Sequence, residues 1–143
     1  MGASVVGYTR NITDDLIGNQ PGFYNDCKAW GNWMAERESH PDVLKALHQL
    51  GLDALLSHIT DGVPEEKVKW VSPDALAAAA NRLRELVLAQ DASVVSIVKS
   101  YALSANGVEP VHEEFAQDLA DVTQIAEFFK ENGVKEMTLE VNW

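Results

Sequence analysis

The chain has 143 residues, 46% of them hydrophobic, enough to build one sizeable core, and a single α+β domain over 1–143 is expected. Its 22 acidic and 11 basic side chains leave a formal charge of −11, which argues against a grip on a phosphate backbone, so nucleic acid is not an expected partner. No run approaches the roughly 18 uninterrupted apolar residues of a membrane span.

The opening "MGASVVGYTR" lacks the basic region and apolar stretch of a signal peptide, and the lone Cys27 has no partner for an internal disulfide. A cytoplasmic protein is the expectation, with no membrane partner. "MGASVV" lacks the Ser or Thr that myristoylation requires at its sixth position, and Asn11 of "NIT" accepts a glycan only in a secreted chain.

Ala3 to Tyr8 is short, β-branched and bounded by turns, and reads as a strand. A helical turn follows, capped by Thr13, with Asp14 and Asp15 on its positive end and Gly18 as its stop. After the loop "NQPG", Phe23, Cys27, Trp30 and Met34 recur at helical spacing through about Glu38. Trp30 lies on that stripe and is expected to be buried. Trp33 falls toward its edge and is expected to be partly accessible at the margin of a groove, with Gly31 allowing another element to approach.

Pro41 and Asp42 open a helix whose inward side is Val43, Leu44, Leu47 and Leu50, closed by Gly51. "LDALLSHI" resumes as a second short helix, "TDGVPEE" is a loop, and Val68 to Val71 reads as a short strand. Ser72, Pro73 and Asp74 form a strong start signal for a helix to about Gln90, with Leu76, Ala79, Leu83 and Leu86 inward. Val94, Ile97, Val98 and Tyr101 give residues 93–104 a helical period despite their β-branched content. The longest amphipathic element begins near Val111, carries Val111, Phe115, Leu119, Val122, Ala126 and Phe129 on one side, and stops at Gly133. Met137, Leu139, Val141 and Trp143 then alternate with Thr138, Glu140 and Asn142, the period of a strand with one buried face. The fold class is therefore α+β, a small sheet holding both terminal strands covered by about five or six helices.

The opening "MG…VVGY", "VKWVSPDALAAAANRLREL" and the closing "FFKENGVKEMTLEV" resemble the YfbM-like family of small bacterial proteins. The likeness covers the first ten residues and the second half of the chain. It departs at residues 19–66, and at "YALSANGVEP", where the family's Tyr-Pro step is absent. The resemblance implies an α+β bacterial domain and brings no activity with it.

No motif with a defined chemistry stands out, and neither catalytic residues nor a cofactor is assigned. His40, His48, His58 and His112 lack the i, i+4 pairing of helical metal ligands, so no metal is expected, although His48 and His58 flank Gly51. There is no G-x-S-x-G elbow, no cysteine-enzyme signature and no phosphate loop. Asp14/Asp15, Glu65/Glu66 and Glu113/Glu114 are adjacent in sequence and so diverge on a helix rather than forming a carboxylate dyad.

Two readings of function remain. Residues 108–143 hold nine acids and two lysines, hence −7 of the −11 charge, and Glu113, Glu114, Asp118 and Asp121 could form a ridge for a basic protein, as in an immunity-type or regulatory module. The alternative is a small-ligand domain or enzyme using Tyr8, Arg10, Trp30, Trp33 and Arg37 as an aromatic and cationic pocket for an anion or carbonyl. The plainer interpretation of the tryptophans is core packing, and of the acids a solvated, dipole-complementing face.

Overall fold

The computed structural model describes residues 4–21, 30, 33–34, 40–60, 63–104 and 111–142. Cys27, Gly31, Arg37 and Trp143, each given a role above, lie outside the described residues.

The fold is α+β, with the terminal strands paired as expected. β1 (Ser4–Tyr8) runs antiparallel to β2 (Thr138–Asn142), with Val5 opposite Val141, Gly7 opposite Leu139 and Tyr8 opposite Thr138. β2 is the better-paired strand, because Ile59 bridges its far edge: Ile59 N donates to Leu139 O at 2.9 Å and Val141 N to Ile59 O at 3.0 Å. The expected strand at Val68 to Val71 contracts to one bridge, Val71 with Met137. The outer edge of β1 is closed by a side chain. Buried Gln20 accepts from Gly7 N at 2.7 Å and donates to Gly7 O at 3.3 Å, satisfying both backbone groups as a neighbouring strand would.

Five α-helices have both ends within the described residues: α1 (Asp14–Asn19), α2 (Pro41–Gln49), α3 (Pro73–Leu88), α4 (Val95–Ser104) and α5 (His112–Glu131). Their starts follow the sequence signals. Thr13 accepts from Leu16 N, and Ser72 accepts from Ala75 N at 3.1 Å with Pro73 in the first turn. Gly18 lies within α1 rather than ending it, whereas Gly51 and Gly133 take the left-handed stops expected of them, at φ 72° and 79°. In α2 only Val43 and Leu47 of the four inward positions are buried, with Leu44 and Leu50 half-buried. The second short helix is a single 3₁₀ turn at Asp53–Leu56, after which the chain straightens to reach the sheet at Ile59.

The helices α3 and α5 form the most extensive helix pairing, and α5 also packs on the sheet. Gly7 makes that second contact possible: a Cβ there would lie 2.7 Å from both Ile125 Cγ2 and Phe129 Cζ. All six predicted apolar positions from Val111 to Phe129 are buried, as are Val94, Ile97, Val98 and Tyr101. Val5, Leu139 and Val141 face the same core. Thr138, predicted on the polar face of its strand, is nevertheless fully buried, where its hydroxyl meets that of Ser57 at 2.6 Å. Among the described residues no single helix is long and apolar enough to cross a membrane.

Candidate functional site

The tryptophan pair belongs to the core. Both residues are helical, Trp30 is 1% exposed as expected, and Trp33, expected at a groove margin, is 0% exposed. Their rings lie 5.0 Å apart, and both pack around Phe115 of α5, at 6.2 and 5.7 Å. Tyr101 of α4 stacks on Phe115 at 4.1 Å. Residues three apart share a helix side, and here a second helix covers both of them, so Trp33 has no solvent edge left to stand on. Neither indole therefore offers a ligand its face.

Tyr8 and Arg10 come together elsewhere, on the side of the sheet opposite α5. With Val5 and Gly7 facing α5, strand alternation turns Tyr8 to the other face with Val6 and, across the register, Thr138 and Glu140; Val6 and Thr138 are covered there, while Tyr8 and Glu140 stay half-exposed. Trp70, two residues before the Ser72 cap, supplies the aromatic wall: its ring stacks with Tyr8 at 6.1 Å between centroids, and the Arg10 guanidinium sits 4.8 Å from its centroid. An exposed cation–π contact of this kind contributes about 0.5–1 kcal/mol. The Tyr8 hydroxyl donates to Glu65 Oε1 at 2.5 Å. That hydrogen bond first, then partial burial and the charges of Glu65 and Glu140, raises the Tyr8 pKa above the ordinary phenol value. Trp70 Nε1 is buried and has no hydrogen-bond partner among the described residues, so what this residue presents outward is ring.

Sequence reading found Tyr8 and Arg10 and missed Trp70, Glu65 and Glu140. The missing information was register. Once Tyr8 is set opposite Thr138, the outward position next along β2 is Glu140, and the Val71 bridge to Met137 brings Trp70 alongside.

The predicted acidic ridge divides. Glu113 and Glu114 are exposed in the first turn of α5, and Glu127 and Glu131 are exposed further along. Asp121 is half-buried and accepts from Gln117 Nε2 at 3.1 Å. Asp118 departs from the expected ridge: it is half-buried, its carboxylate accepts from the Tyr101 hydroxyl and from the Trp30 backbone N–H, and it lies against the aromatic cluster. Burial, with smaller repulsions from Glu114 and Asp121, raises its pKa to about 6 against the lowering effect of those hydrogen bonds. Its helical position is shared with the aromatic core, a fact that a list of acids on the polar side of a wheel does not contain.

The histidines flanking Gly51 each have a near polar neighbour. His48 Nδ1 lies 2.8 Å from Asp53 Oδ1 across the Gly51 turn, with both side chains largely exposed, and the His58 ring faces the Leu56 carbonyl at 3.1 Å. Among the described residues no group of three or more His, Cys, Asp or Glu side chains is placed to hold a metal ion. Comparison with protein-family models, with curated proteins and with solved structures finds no match to this chain.

Proposed function

We propose that the protein is a cytoplasmic binding module of the immunity or regulatory kind, and that the exposed acids of α5 meet a basic protein partner. The observation that carries this reading is the fate of charge on that helix. Glu113, Glu114, Glu127 and Glu131 stand in solvent, and the one lysine or arginine in α5, Lys130, is paired with Asp74 of α3 at 2.8 Å while it also feels the charge of Glu127, so four exposed acids face a single, shared cation. From Glu113 to Glu131 the helix runs about 27 Å at 1.5 Å per residue. That is several times the screening length of about 8 Å at physiological salt, so the acids act on whatever lies directly over them and their pull falls as salt rises. The resemblance to the YfbM-like family stands beside this reading as a proposal and supplies no activity.

The test is charge reversal at exposed positions, Glu127→Lys with Glu131→Lys, since Asp118 is unsuited by its burial. The double variant should melt with the wild-type midpoint to within about 0.5 kcal/mol, as surface changes do, and associate at least tenfold more slowly with a basic partner captured by the wild type at low salt. An unchanged association rate would leave α5 as a solvated helix face and end this proposal.

A further inference from the structure

We propose that the half-exposed part of this sheet face, where Trp70 lies beside Tyr8, is a receptor for an arginine side chain of a protein partner, in which the chain's own Arg10 occupies the seat until the partner arrives. The inference deepens the proposed capture of a basic protein and rests on it for the partner's class, but it concerns a different surface, on the sheet rather than on α5.

Three features of the seat point to a guanidinium. The ring face of Trp70 already carries one, at 4.8 Å, which shows that a planar cation fits there. Beside that ring stands Tyr8, which is held to Glu65 through its hydroxyl and feels the charge of Glu140 diagonally across the strand pair, so two carboxylates lie on the tyrosine side of the seat. A guanidinium suits such a place better than an ammonium, because it is planar, more weakly hydrated and able to stack while its N–H groups reach a carboxylate. The same acidic border opposes a small anion, whatever Arg10 could offer one.

The occupant is displaceable. Arg10 is exposed and lies one residue before Asn11, whose φ of 58° places it in the left-handed region. An exposed cation–π contact favours the closed position by only about two- to fivefold. A partner's arginine therefore meets a site that is occupied most of the time and open for a sizeable fraction, and its apparent affinity is reduced by that fraction.

The probe is an acetylated glycine-flanked arginine pentapeptide, with norleucine and lysine versions as controls, titrated into ¹⁵N-labelled full-length protein and followed at the Trp70 indole N–H and the Arg10 Nε–H. The arginine peptide should shift the Trp70 signal. The Arg10 Nε–H, held in the ring current of Trp70, should move toward its free position as the peptide displaces it. Arg10→Ala should bind the peptide about three- to sixfold more tightly, and Glu65→Gln, at an exposed position that does not threaten folding, should bind it at least threefold more weakly. The inference is overturned if the Arg10 signal stays put, if Arg10→Ala binds no better than wild type, or if the norleucine peptide shifts Trp70 as strongly. The two proposals fail separately: absence of a Trp70 response in wild type refutes the seat, whereas a Trp70 response in wild type together with unchanged partner association of the Glu127→Lys, Glu131→Lys variant refutes the ridge.

Discussion

Replacing Asp118 by Asn should turn a pH-dependent weakness of the fold into a pH-independent one. The folded-state pKa of about 6, against 3.8 for the free side chain, means that the folded protein holds this proton more tightly than the unfolded chain does. The sign is opposite to that of a salt-bridged carboxylate. The stabilisation is fully present below pH 3.8 and is lost as pH rises through about 6. The interval of about 2 pH units, at about 1.4 kcal/mol each, amounts to something on the order of 3 kcal/mol between pH 4 and pH 8. Asn keeps an oxygen for the Tyr101 hydroxyl and the Trp30 N–H but cannot ionise, so whatever its amide group costs is the same at every pH. Other carboxylates titrate alike in the two proteins, and the difference between them isolates Asp118. Urea unfolding of both at pH 4, 5, 6, 7 and 8 should show the variant gaining on wild type by on the order of 3 kcal/mol across the series, about 1.5 M in midpoint for a slope near 2 kcal/mol/M. Parallel stability curves from pH 4 to pH 8 would refute the reasoning, because they would mean that the carboxylate is as well solvated in the fold as in the free chain.

Gly7→Ala should destabilise the protein by about 1–3 kcal/mol in a denaturant melt, because the added methyl meets Ile125 and Phe129 at 2.7 Å and α5 must move away from the sheet; a change below 0.5 kcal/mol would show that the contact yields freely. Among variants that keep one tryptophan each, those keeping Trp30 or Trp33 should resist iodide quenching, at least fivefold below free tryptophan, and the one keeping Trp70 should quench more readily; strong quenching of Trp33 would restore it to a groove margin.

Local signals in the sequence determined much of this fold because they act over a turn or two of chain. Ser72, Pro73 and Asp74 start a helix wherever they occur, since hydroxyl, fixed φ and charge all answer the unsatisfied N–H groups of the first turn. The apolar period of Val111 to Phe129 and the alternation of Met137 to Val141 likewise selected their faces, because a helix or strand exposes one side to each neighbour whatever the neighbour is. Only the tertiary structure decided which residues would meet. Trp33 falls at the edge of its apolar stripe by helical phase, yet α5 brings Phe115 over it; Asp118 sits among acids along the chain, yet α4 brings Tyr101 to it. Tyr8, Arg10 and Trp70 join because β1 pairs with a strand 130 residues away at one register and a single bridge at Val71 delivers Trp70 beside it. No local pattern encodes that register: a slip of one residue would keep every propensity and turn each side chain to the opposite face, and what forbids it is the one packing in which α5 lies against the glycine at position 7.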